Sequence, residues 1–140
     1  MPDRVLEELD EQTCLQLISG GGVGRIAYTA SRFGLVILPV NYALHEGALV
    51  LRTVEHGPLD EELRTGIAGA EEKVAFEIDE FDLAKRVGWS VLIQGPAHHV
   101  TGDEWSAVVQ AAVQPIAPGS RELFVRIVPS RITGRRVSPA

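Results

Sequence analysis

The sequence predicts an α+β, mainly β, fold in which six antiparallel strands make a small closed or partly closed barrel with short helices at its periphery. Three observations predict it. Six runs rich in Val, Ile, Leu, Tyr and Phe are bounded by Gly, Pro, Asn and Asp. The first three are joined by loops of a few residues, which antiparallel pairing allows and parallel crossovers do not. The run 86–95 is largely apolar on both faces, as in a barrel wall rather than a half-solvated edge.

In chain order, residues 5–9 lead to Asp10, a good N-cap. Residues 11–19 then place Leu15, Leu17 and Ile18 on a short helix that Gly20-Gly21-Gly22 ends. These glycines follow a helix, the reverse of the strand-to-helix order of a phosphate loop, so they read as cap and turn. Residues 23–29 and 35–44 are strands around a hairpin turn at 30–34, and His45-Glu46-Gly47 turns the chain into a third strand, 48–53. Pro39 has no N–H, which places it at an edge, a bulge or an opening in the ladder. Pro58 near a first turn and Leu59, Leu63 and Ile67 at spacing four predict a helix over 58–68.

Residues 72–79 alternate, with Val74, Phe76 and Ile78 inward and Ala75, Glu77 and Asp79 outward. Residues 82–85 are a polar connector into the strand 86–95, which is expected to run on through His98 and His99. There Trp89, Val91 and Ile93 share one face, and Ser90, Leu92 and Gln94 the other. Trp105, Val108, Val109, Ala112 and Val113 predict an amphipathic helix over 103–113, followed by a rigid loop at 115–119. Residues 123–128 are the sixth strand, and residues 129–137 read as a polar, arginine-bearing tail. No repeat or linker divides the 140 residues, so one domain is expected over 1–140.

Composition narrows the function. A formal net charge of -6 provides no general field for a nucleic-acid backbone, and Arg131, Arg135 and Arg136 form the one basic concentration. The single Cys14 excludes an internal disulfide and a multi-cysteine metal site, and its apolar neighbours make it a buried inert thiol. Without a signal-like or membrane-length apolar run, a cytoplasmic protein that avoids membranes is expected. His98 and His99 point to opposite strand faces and cannot readily share an ion. No Gly-x-Ser-x-Gly elbow supports a hydrolytic triad, so neither a metal nor a catalytic side chain is assigned. Arg52-Thr53 is different. A guanidinium and a hydroxyl at a strand end, just before a helix N-terminus, make a sound anion site.

Val23-Gly24-Arg25-Ile26-Ala27, Pro39-Val40-Asn41-Tyr42, Arg52-Thr53, Val74-Ala75-Phe76-Glu77-Ile78-Asp79 and Gly88-Trp89-Ser90-Val91 occur in this order. Val125-Arg126-Ile127 and Arg131-Ile132-Thr133-Gly134-Arg135-Arg136 close the set. With these motifs the sequence resembles the pyridoxamine 5′-phosphate oxidase-like flavin-binding proteins, in their actinobacterial-type branch. The resemblance implies a split β-barrel homodimer with flavin mononucleotide (FMN) at the subunit interface. It also implies that Arg52 and Thr53 hold the phosphate, that Val40, Asn41 and Tyr42 line the isoalloxazine, and that Trp89 and Ser90 approach from the neighbouring wall. Pro39 and Leu59 complete the implied set. One departure is visible, because Pro58 stands where the family commonly has a phosphate-binding lysine.

The implied activity is an FMN-dependent oxidoreductase acting on a small organic substrate, the cofactor carrying the chemistry. Within the superfamily a deazaflavin-dependent reductase is the alternative enzyme. From another class, the alternatives are a non-catalytic flavin- or haem-binding carrier or sensor, and a dimer module with no ligand.

Overall fold

Period-two patterning builds most of this molecule. The computed structural model describes residues 4–30, 33–53, 72–100 and 123–139. Among them, strands β1 (Arg4–Leu9), β2 (Gly22–Ala30), β3 (Gly34–His45), β4 (Ala48–Thr53), β5 (Glu72–Asp82), β6 (Val87–His99), β7 (Leu123–Ile127) and β8 (Arg131–Pro139) accompany one helix, α1 (Glu11–Ile18). The expected helices over 58–68 and 103–113, and the loop at 115–119, lie outside the described residues.

All strand pairings are antiparallel, in the order β1-β8-β6-β5-β2-β3-β4-β7, and β7 returns to pair with β6. The six strands β2 to β7 therefore close on themselves, and they are the six expected from sequence. β6 makes the closure possible by being long. Along one flank it gives Gly88–Gln94 to β8 and then Ala97–His99 to β7, while its other flank pairs with β5 from Val87 to Ala97. The barrel is split where β6 changes partner. There Ser130 N–H donates to Gln94 O (2.8 Å) and Val128 N–H to Pro96 O (3.2 Å), tying the β7–β8 connection across Gly95.

The expectation of a polar tail over 129–137 is corrected. Residues 131–139 form β8, paired with β6 on one side and β1 on the other. Gly134 sits at an inward position of β8, where an added Cβ would lie 2.5 Å from Cys14 Sγ. The helix fills the space that a large apolar side chain would have marked in the sequence.

The barrel interior holds Ile26, Tyr28, Tyr42, Leu49, Leu51, Val74, Phe76, Ile78, Val91, Ile93, Val125 and Ile127, with Cys14 and Ile18 of α1 packed against them. Each fully buried aliphatic or Phe side chain contributes about 1.5–3 kcal/mol. α1 begins at Asp10, whose Oδ1 accepts from Thr13 N–H at 2.8 Å. It ends against the barrel, where Ile18 O accepts from Gly21 N–H at 3.2 Å and from the Tyr42 hydroxyl at 3.1 Å, so a last-turn carbonyl is bonded both by the turn and by the barrel. Burial raises the Cys14 thiol above its ordinary value, as expected of an inert cysteine. Between β3 and β4, Glu46 and Gly47 both take positive φ (50° and 76°), the signature of a two-residue type I′ hairpin turn.

Candidate functional site on the outer barrel wall

Side chains of directly paired residues lie on the same side of an antiparallel ladder. The register therefore assigns every candidate residue to the inside or the outside of the barrel.

On β3, Val36, Leu38 and Val40 pack inward with Tyr42, and Pro39 and Asn41 face outward. Tyr42 is 4% exposed and meets Phe76 edge to face, with ring centroids 5.6 Å apart. Its side chain belongs to the core. Pro39 pairs with Arg25 of β2, and the ladder from β3 to β4 begins only at Tyr42↔Leu51. Among the described strands, Leu35–Val40 thus has a neighbour on one side only, which is the edge setting that Pro39 requires.

Arg52 lies one residue beyond Leu51, on the outward side of β4 opposite Phe124, with its guanidinium carbon 5.7 Å from that ring's centroid. Its neighbours Val50 and Phe124 form a second small buried cluster with Ala43 and Val100. Thr53 pairs with Leu123 through its backbone. The Thr53 side chain and all of Leu59 lie outside the described residues.

Trp89 and Ser90 divide between the two sides. Trp89 is half-buried against the interior cluster, and Ser90 looks outward. Ser90 pairs with Asp79 on one flank and Arg135 on the other. It lines an open cleft of about 530 Å³ with Glu8, Leu92, Arg131, Thr133 and Arg135. Two of the three C-terminal arginines are thereby brought to one cleft. Arg136 instead ion-pairs with Glu7 at 2.8 Å. A second cleft of about 590 Å³ lies farther along the same wall, between Leu35, Lys73, Gln94, Pro96 and Ser130.

Within one chain the implied cofactor residues form two groups. Pro39, Asn41 and Arg52 lie on β3 and β4, and Ser90 lies on β6, with β2 and β5 between them. Four strand spacings separate Ser90 from Arg52, roughly 19 Å along the curved wall.

Sequence reasoning directed Glu77 and Asp79 outward and gave neither them nor Arg25 a role. Arg25 of β2 reaches both Glu77 Oε1 (3.5 Å) and Asp79 Oδ2 (3.6 Å) of β5. Burial, a side-chain hydrogen bond with Asp79 and the charge of Asp79 push Glu77 up to about 7, and Arg25 opposes the rise without cancelling it. The i,i+2 carboxylates were visible in the sequence, but only the Arg25↔Glu77 register reveals that one guanidinium serves both.

His98 and His99 pair with Arg126 and Val125 respectively, on opposite faces of β6. Among the described residues no group of three His, Cys, Asp or Glu is placed to hold a metal. No described helix is long and apolar enough to cross a membrane.

Residues 10–136 match the family model described as pyridoxamine 5′-phosphate oxidase. An uncharacterized protein of Mycobacterium tuberculosis is 31% identical over 134 residues, covering 96% of this chain and 87% of that protein. Among solved structures, the FAD binding protein from Mycobacterium smegmatis is similar with a TM-score of 0.74 and 27% identity, covering 94% of this chain and 97% of that one. A conserved protein of unknown function from Corynebacterium diphtheriae is similar with a TM-score of 0.72 and 27% identity, over 95% and 98% of the two chains.

Proposed function

The chain belongs to the pyridoxamine 5′-phosphate oxidase family, and from that premise we propose that it is a cytoplasmic, homodimeric flavin-dependent oxidoreductase that binds FMN on its outer wall. The observation that carries this reading is the open side of β3. Among the described strands, Leu35–Val40 has a ladder neighbour on one side only, and Arg52 flanks the end of that stretch. Backbone donors and acceptors along an open strand suit the alternating polar edge of a flat heteroaromatic ring, and a guanidinium suits a phosphate. The residues present therefore fit a flavin.

Arg52 with Thr53 would hold the phosphate, and Pro39 and Asn41 would border the ring, the inward-facing Val40 and Tyr42 contributing backbone and a fixed strand position. Ser90 would complete the site from a second copy, because in one chain four strand spacings, roughly 19 Å along the curved wall, separate it from Arg52, whereas Trp89 packs toward the interior and would only brace that strand. The flavin, when bound, supplies hydride or electron transfer. The protein's own part is to orient it and exclude water. A solved neighbour at 27% identity binds FAD, which makes FAD the competitor to FMN. Pro58 at the position of a family lysine, with Glu55 nearby, favours a second reading, a carrier that binds flavin without turnover.

The test is a fluorescence titration of the purified chain with FMN and with FAD, on wild type and Arg52→Ala. Loss of one charged phosphate contact costs about 1.5–3 kcal/mol, so Arg52→Ala should weaken FMN binding about ten- to a hundredfold. Equal affinity in the variant would remove Arg52 from the site. Reoxidation of a reduced nicotinamide by the loaded protein separates oxidoreductase from carrier. If neither flavin binds, the same titration with a deazaflavin coenzyme and with haem decides between the remaining ligands and an empty dimer module.

A further inference from the structure

The wall between the two groups of site residues has an unusual surface. Along β3, Leu35 is 84% and Ile37 68% exposed. They pair with Thr29 and Ala27 of β2, and Ala27 in turn with Ala75 of β5, so the apolar surface continues across three strands. One row along, Pro39 pairs with Arg25, Arg25 with Glu77, and Glu77 with Leu92. Apolar side chains and groups of both charges thus share one face, as a self-complementary contact about a two-fold axis requires.

We propose that a second copy of this chain covers this face, and that Glu77, which shares the single guanidinium of Arg25 with Asp79, carries a proton there, so that self-association strengthens as pH falls through neutrality. The proposal rests on the homodimer of the proposed function and adds both its face and its proton dependence.

The chemistry follows from counting charges. Glu77 and Asp79 lie on the same side of β5, and one guanidinium, Arg25, faces both. One carboxylate is balanced by Arg25; a second is an unbalanced negative charge beside it. Among the described residues, the ladder positions beside Glu77 carry no charge other than Arg25 and Asp79. β3 offers Pro39 and β6 offers Ser90 and Leu92, while Lys73 of β5 is two outward positions away, beyond Ala75. Past β6, Leu92 is followed by Thr133 of β8, with Arg131 and Arg135 to either side. The raised proton affinity of Glu77 agrees with this arrangement.

The sign is fixed by desolvation. Covering the face disfavours the charged form of Glu77 further, so association takes up protons. The contact is complete while Glu77 is protonated and is weakened as pH rises above about 7. It then buries an extra negative charge from each copy of a chain already at -6.

Sedimentation equilibrium at pH 6 and pH 8 tests this on wild type, Glu77→Gln and Ile37→Asp, with circular dichroism verifying that each variant is folded. The wild-type dimer should dissociate at least about tenfold more readily at pH 8. Glu77→Gln, a neutral isostere, should show equal dissociation constants at both pH values, close to wild type at pH 6. Folded Ile37→Asp should be monomeric throughout. A pH dependence that survives in Glu77→Gln overturns the role of Glu77, and an Ile37→Asp dimer of wild-type affinity overturns the face. A wild-type monomer at both pH values overturns the proposed homodimer itself, whereas flavin titration of the same samples reports separately on the cofactor.

Discussion

Gly24 illustrates how far a single atom decides this barrel. Its ideal Cβ would lie 2.2 Å from the Phe76 ring and 2.9 Å from Glu77 O. The ring occupies the place of the missing side chain and from there meets Tyr42, whose hydroxyl anchors the last turn of α1. Gly24→Ala should therefore destabilise the fold by about 1–3 kcal/mol, the usual cost of overpacking, measured by denaturant unfolding. Because the clash is with a side chain, adding Phe76→Leu should recover part of the loss as a favourable coupling. Strict additivity of the two changes would mean that the backbone at Glu77, rather than the ring, sets the constraint.

At the scale of the elements, the seam in β6 depends on Gly95. A Cβ there would stand 2.1 Å from Val128 O and 3.1 Å from Ser130 N, and these are backbone atoms that cannot rotate away. Gly95→Ala should push the β7–β8 connection off β6 and expose the amides of Val128 and Ser130, which now donate to Pro96 O and Gln94 O. The expected result is faster hydrogen exchange at both amides, with about 1–3 kcal/mol lost. Unchanged protection would show that the seam is held elsewhere. The elements differ in how openly the sequence announces them, for a related reason. β5 alternates apolar and polar residues because one of its faces lines the core, with Val74, Phe76 and Ile78 all buried. β8 shows no such alternation, because at position 134 the inward side belongs to Cys14 of α1 and only glycine fits. β1 is the sheet's edge, its residues mostly exposed, so Arg4–Leu9 carries little apolar signal. The type I′ turn was legible as a hairpin from Glu46-Gly47, since glycine tolerates the positive φ of the second turn position.

The candidate site becomes legible only at the scale of the whole molecule. Sequence marks Arg52, Pro39, Asn41 and Ser90 as a set through family resemblance, but it cannot state that along the wall of one chain two strands separate Ser90 from Pro39 and Asn41 and three separate it from Arg52. Nor can it show that Arg131 and Arg135, 37 or more residues from Gln94 and Ser90 along the chain, line the same cleft as Ser90. Those facts require register. They also impose a thermodynamic consequence on the proposed function. If a second copy completes the flavin site, FMN binds the dimer more tightly than the monomer, and by reciprocity FMN tightens the dimer. At a hundred times its dissociation constant FMN should add about 2.7 kcal/mol to the stability of the folded, assembled wild type. Its melting temperature should also rise with protein concentration. Ile37→Asp, held monomeric, should bind FMN weakly even though every proposed flavin contact is intact in its sequence, because Arg52 and Ser90 remain on separate walls. Wild-type affinity for FMN in that monomer would place the whole site within one chain, and the outer-wall dimer would then have no part in holding the cofactor.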